Sequence, residues 1–191
     1  MKKNIFRDKT NFVILFLLPA FLGYLWEVFS CFFYYGNLSN RGFTYGPWLT
    51  VYGLGGLLFS LLLWRKRHKK IFCFFVCFLA GTLLELLGGV LLQYFFQLRY
   101  WDYSGWPLNF FGYISLYSSL GFGLAGMLWV CFLCPKFILL WTHPKRNAKR
   151  RTALAVLLYS LFLIDFIFSL FHPNQGSGIT CLYHDISLFP I

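Results

Sequence analysis

Apolar residues in this chain fall into long blocks separated by short polar or basic segments, too long and uniform for the helices of a soluble domain this size. Measured against the roughly 20 residues a helix needs to cross a bilayer, the blocks predict five spans, at about 12–35, 48–64, 71–97, 110–134 and 152–171. The expected fold is all-α: one polytopic integral membrane helix bundle over residues 1–191, with two tandem hairpins and a fifth helix. Residues 172–191 are expected to form an extracytoplasmic tail. After Pro135 the apolar character continues, and that stretch reads as an interfacial turn.

Composition agrees, with 59% hydrophobic and only 12% charged residues. The net charge of +11 would suit nucleic acid, but its placement argues against that partner. All but two of the 17 Lys and Arg residues lie near the N-terminus, in the 65–70 segment, or between Lys136 and Arg151. Basic loops of this kind orient a membrane protein and meet anionic lipid headgroups. They put the N-terminus in the cytoplasm and the C-terminus outside an inner (cell) membrane. The first span is too long for a signal-peptide core, contains Glu27 and lacks a small-residue exit, so it reads as an uncleaved anchor.

The six cysteines suggest neither a metal site nor a disulfide framework. Cys73 and Cys77 share one helix face, and Cys131 and Cys134 another, which is core packing. Cys31 and Cys181 fall on the oxidising side, where a disulfide between them is conceivable.

The two basic residues outside the clusters belong to a pattern. Glu27 sits in the first span and Glu85 in the third, and each precedes an arginine, Arg41 or Arg99, by 14 residues. A carboxylate within a span costs about 2.5 to 3.5 kcal/mol on insertion scales, so it has a partner or a task. Gly23 and Glu27 align with Gly81 and Glu85 at an offset of 58, and each arginine leads into an aromatic loop holding Pro47 or Pro107. Such tandem hairpins are one of the repeat patterns of transporters. Gly81, Thr82, Gly88 and Gly89 share a face with Glu85, and Ala20, Gly23, Tyr24, Ser30, Cys31 and Tyr34 with Glu27. Small faces let helices approach, so both glutamates are expected to point into the bundle.

Folded over the spans, the outer loops would bring Arg41, Arg99, Asp102 and Asn109 within reach of the glutamates. Arginine there would keep a carboxylate ionised, or offer a fork to an anionic ligand. The bland alternatives are loop ordering by ion pairs and an interfacial aromatic belt. Residues 121–126, GFGLAG, match a dinucleotide fingerprint only formally, because they lie within an apolar helix; with Ser118 and Ser119 they form a close-packing seam. No Walker A sequence, metal-ligand spacing or cofactor motif occurs, so ATP hydrolysis would need a separate ATPase subunit. Asp165 in the fifth span reads as a pairing residue, and His172, His184 and Asp185 as part of a solvated tail.

The loops also carry a resemblance. Trp-Glu in the first span, then Asn-Arg-Gly, Gly-Pro, Tyr-Gly-x-Gly, a Thr-Leu-Leu-Glu span, Trp-Asp-Tyr and Asn-Phe-x-Gly follow in order between Gly23 and Gly126. This order resembles the bacterial CmpB-like family of type IV ABC-transporter proteins. The resemblance implies signature positions at Glu27, Arg41, Gly46, Pro47, Tyr52, Gly53, Glu85, Trp101, Asp102, Tyr103 and Asn109. Where the family reads Pro-x-Tyr-Gly, this chain has Thr50-Val51-Tyr52-Gly53. Gly46, Pro47, Gly53 and Trp101 are then expected to shape the loops, with Tyr52 and Tyr103 joining the candidate site. The motifs leave the fifth span outside the resemblance.

Three functions fit. One is a small permease-like transport protein with a polar site in the outer half of the bundle. A second is an intramembrane enzyme acting on a lipid or lipid-linked substrate, with the carboxylates as acid and base. The third is a non-catalytic membrane scaffold. Expected partners are membrane lipids and either a separate ATPase subunit or further copies of the chain.

Overall fold

The computed structural model describes residues 5–36, 38–144, 147–176 and 178–180. Its helices are α1 (Leu18–Tyr35), α2 (Thr50–Leu63), α3 (Lys70–Phe96), α4 (Leu116–Leu128), α5 (Cys134–Trp141) and α6 (Ala148–Phe171). Short wide turns, Val13–Leu17 and Trp129–Leu133, run directly into α1 and α5. The continuous helical rods are Lys9–Phe33, Lys70–Phe96, Leu116–Trp141 and Ala148–Phe171, each long and apolar enough to cross a membrane; α2 is apolar but shorter. The fold is a polytopic helical membrane bundle of about five helices, as the hydrophobic pattern predicts.

Two boundaries differ from expectation for definite reasons. The fourth rod starts at Leu116 because Ser115 and Ser118 form a reciprocal capping box, each side chain accepting the other's backbone N–H. Upstream, Leu108, Phe111 and Gly112 have positive φ, a conformation that no helix can continue through. At its other end the rod does not stop at Pro135. A proline ring inside a helix clashes with the carbonyl four residues back; here that carbonyl belongs to Cys131, in the wide turn that opens the ladder. The segment expected to form an interfacial turn therefore stays helical to Trp141. Pro19 follows the turn at Val13–Leu17 with the same spacing.

In the bundle α1 packs on α2, α2 on α3, and α3 on α4. The core lies toward the end that holds the basic segments and includes Leu15, Leu63, Cys73, Cys77, Trp129 and Cys134. Within it the Ser60 hydroxyl donates to the Gly56 carbonyl (2.7 Å) and accepts the Trp129 indole N–H (3.1 Å). Arg151 of α6 pairs with Asp8 at 2.6 Å, fixing α6 to the start of the first rod.

The opposite end is built by the α1–α2 loop, the α3–α4 loop and the segment after α6. The α1–α2 loop turns tightly at Pro47, where the Trp48 N–H donates to the Gly46 carbonyl (2.8 Å). Asp165 of α6 accepts from the backbone N–H of Tyr45 and Gly46 and from the Trp48 indole, at 3.1, 2.8 and 2.7 Å. Among the described residues after α6, Asn174 is less solvated than expected. It is 5% exposed; its amide donates to the carbonyls of Asn40 and Gly42, and its own carbonyl accepts from the Tyr100 hydroxyl. His172 stacks on Phe168. Cys31 is buried, whereas Cys181, His184 and Asp185 lie outside the described residues.

Candidate functional site

Gly23 and Gly81 lie one turn before Glu27 and Glu85 on α1 and α3. With no side chain at these positions, a neighbouring ring can lie against the helix backbone. The Tyr52 ring covers Gly23 and the Phe122 ring covers Gly81, so closely that a Cβ at either glycine would overlap the root of the ring's side chain. Those two rings also meet, at 5.7 Å between centroids. The aligned glycines of the repeat are thus equivalent in space: each hairpin closes on an aromatic side chain from its second helix, and the two hairpins meet through those rings.

Each glutamate is then held by hydroxyls. The Tyr52 phenol donates to Glu27 Oε1 at 2.8 Å. The Tyr103 phenol donates to Glu85 Oε1 at 2.9 Å, and the Ser118 hydroxyl to Glu85 Oε2 at 2.8 Å. Glu85 is 4% exposed, whereas the Glu27 side chain keeps 30% of its surface. Burial first, and then the charge and hydrogen bond of Glu85, raise the Tyr103 phenol well above its ordinary value; the charge of Glu27 adds to the effect. Tyr103 therefore remains a neutral donor, within the electrostatic reach of both carboxylates.

The arginines do not repeat the symmetry of the sequence. Arg41 approaches Glu27 at 3.9 Å, while its other nitrogens donate to the carbonyls of Gly178, Ile179 and Tyr100 at 3.1, 3.0 and 2.8 Å. Arg99 pairs instead with Asp102 at 3.3 Å, donates to the Phe111 carbonyl and lies over the Tyr113 ring at 4.5 Å. Arg99, Asp102 and Asn109, expected within reach of the glutamates, make their hydrogen bonds within the α3–α4 loop, where a carboxylate three residues from Arg99 pairs with it. Asn109 staples the same loop, donating to the carbonyls of Ser104 and Trp106 and accepting the Gly112 N–H. A Cβ at Gly112, where φ is +69°, would strike Asp102 and Ser104.

The remaining loop positions brace the site. The Trp101 indole donates to the Tyr113 carbonyl (2.8 Å) beside Gly88 and Gly89 of α3, and Gly53 lets Phe16 lie against α2. Gly123 and Gly126 of α4 receive Phe74 and Cys77 of α3, so the glycine seam packs helix on helix as its composition predicts. Sequence reasoning missed Ser118 as a glutamate partner, assigning it to that seam; the Ser-x-x-Ser spacing opening α4 was the available signal. Asn174 and Tyr100 offered none.

The family described as "Putative ABC-transporter type IV" matches residues 14–170. That range is wider than the 23–126 stretch carrying the motifs and takes in nearly all of α6, with Asp165, which the motifs left outside. No curated protein and no solved structure matches the chain. With the match spanning both hairpins and α6, the chain belongs to the family described as "Putative ABC-transporter type IV".

Proposed function

We infer that the protein is a small permease-like transport component of the cell membrane, oriented with its basic segments in the cytoplasm and its loop end outside. Its site is formed by Glu27 with Tyr52 and Arg41, and by Glu85 with Tyr103 and Ser118. The observation that carries this reading is the paired arrangement: two membrane-embedded carboxylates on aligned positions of two hairpins, facing the seam where Tyr52 meets Phe122. Ionisable groups inside a span face a bundle interior and mark pathways, and sites between structural repeats suit alternating exposure. With no Walker A sequence in the chain, ATP-driven operation would require a separate ATPase subunit bound on the cytoplasmic side.

The same geometry weighs against an intramembrane enzyme that would hold an anionic lipid or lipid-linked substrate through the arginines. The terminal nitrogens of both arginines already donate within the protein, Arg41 to three carbonyls and Arg99 to Asp102 and Phe111, so neither fork stands open to an anionic ligand. Flux of labelled solutes by purified protein in liposomes tests the reading. We expect transport by the wild type that is lost in Glu85→Gln; no flux that depends on Glu27 or Glu85 under any imposed gradient would refute it.

A further inference from the structure

Glu85 differs from the other acidic residues of the bundle in its surroundings. Ion pairs among the described residues join Arg41 to Glu27, Arg99 to Asp102 and Arg151 to Asp8; Asp165, also outside these pairs, is held by three N–H donors, whereas Glu85 is held by hydroxyls. The polar and charged groups that face it are Ser118 of α4, Tyr103 of the α3–α4 loop, and the charge of Glu27 from α1; Tyr52 of α2 senses the same carboxylate. None of these is a cation. A buried carboxylate that stays charged without a counter-charge has a large solvation cost to offset.

The decisive detail is Ser118. Its hydroxyl has one hydrogen and two acceptors within reach, Glu85 Oε2 at 2.8 Å and the Ser115 carbonyl at 3.0 Å. Its oxygen also accepts the Ser115 N–H at 3.1 Å. When the hydrogen points to Glu85, the carboxylate is satisfied as an anion, and the Ser115 carbonyl keeps its helical partner, the Ser119 N–H at 3.0 Å. When the hydrogen turns to the Ser115 carbonyl, the free lone pair of Ser118 lies opposite Glu85 Oε2 and can accept a carboxyl O–H. Tyr103 donates to Oε1 in both arrangements. A hydroxyl that works as donor or acceptor at one oxygen meets the needs of both protonation states without moving a backbone atom.

We propose that Glu85 is a proton-binding site whose charge state is switched by rotation of the Ser118 hydroxyl, making a proton the coupling ion of the transport site. Only the word coupling rests on the permease reading. On release the Glu85 O–H bond breaks, the electron pair stays on the carboxylate, and the proton passes to water as hydronium; uptake is the reverse.

Infrared difference titration of the protein in liposomes tests this without any flux. An ordinary glutamate, with a pKa of about 4.3, has no protonated-carboxyl carbonyl band at neutral pH. The wild type is expected to show one that shifts in D2O, disappears in Glu85→Gln and persists in Glu27→Gln. In Ser118→Ala, where the carboxyl O–H loses its acceptor, the band should move in frequency. A wild type without the band at neutral pH, a band that survives Glu85→Gln, or one erased by Na+ or K+ at constant pH would overturn the proposal. Should Glu85→Gln fail to fold, Ser118→Ala decides, and an unmoved band there refutes the switch. Glu85-dependent flux without the band would leave a permease that does not use this proton, and the band without flux would leave a proton site that is not a permease.

Discussion

Asp165 accepts the indole N–H of Trp48 at 2.7 Å, joining residues 117 positions apart in the chain. The same carboxylate takes the N–H groups of Tyr45 and Gly46, so one side chain of α6 fixes the Tyr45–Trp48 end of the α1–α2 loop. Asp165→Ala removes the acceptor of three donors, two of them part-buried, and a hydrogen bond to a charged group contributes about 1.5–3 kcal/mol. The expected outcome is a lower unfolding midpoint in detergent and altered Trp48 fluorescence, with Asp165→Asn, which keeps one carbonyl oxygen, falling between the two.

The glycines under the aromatic rings give a second prediction. Gly23→Ala drives its methyl into Cβ and Cγ of Tyr52, and Gly81→Ala into the same atoms of Phe122; neither root can swing aside. Overpacking of this kind costs about 1–3 kcal/mol. Chemical unfolding of Gly23→Ala, Tyr52→Ala and the double variant should show that removing the ring relieves most of the glycine effect, as expected for residues in contact.

Arg41 holds the chain after α6 through the carbonyls of Gly178 and Ile179. Arg41→Ala should speed amide exchange at residues 178–180, measured by mass spectrometry, while exchange within α3 and α4 stays unchanged. Arg99→Lys should instead loosen the α3–α4 loop, since an ammonium cannot reproduce a fork shared between Asp102 and the Phe111 carbonyl while stacked on Tyr113.

High pH gives a fourth prediction. Burial raises the phenols of Tyr100 and Tyr103 above their ordinary value. A group with a raised folded-state pKa contributes its full stability below the unfolded value, about 10 for tyrosine, and loses it as pH climbs above that value. Stability should therefore fall steeply beyond about pH 10, less so in Tyr100→Phe, and the tyrosinate absorbance of these residues should appear together with unfolding.

The helices, the inward face of Glu85 and the equivalence of Gly23 with Gly81 were legible in the sequence, because hydrophobic runs and helical periodicity are local signals. The partners of the glutamates were less so. Tyr52 follows Glu27 by 25 residues and Tyr103 follows Glu85 by 18, so no fixed offset reveals that the two phenols do the same thing. The Glu–Arg spacing suggested a symmetry that the α3–α4 loop breaks, because Asp102 lies three residues from Arg99 and a local pair forms at less entropic cost than a distant one. The grip of Asp165 on the α1–α2 loop depends on tertiary packing, which no sequence interval encodes.

One site or two is the central question, and a double-mutant cycle on transport answers it. In proteoliposomes the initial flux of the wild type, Glu27→Gln, Glu85→Gln and the double variant should show both single substitutions abolishing most transport and the double doing no further harm, the non-additivity of residues acting as a unit. Flux unchanged in either single variant, or losses that multiply as independent effects do, would contradict a single transport site built from the two hairpins.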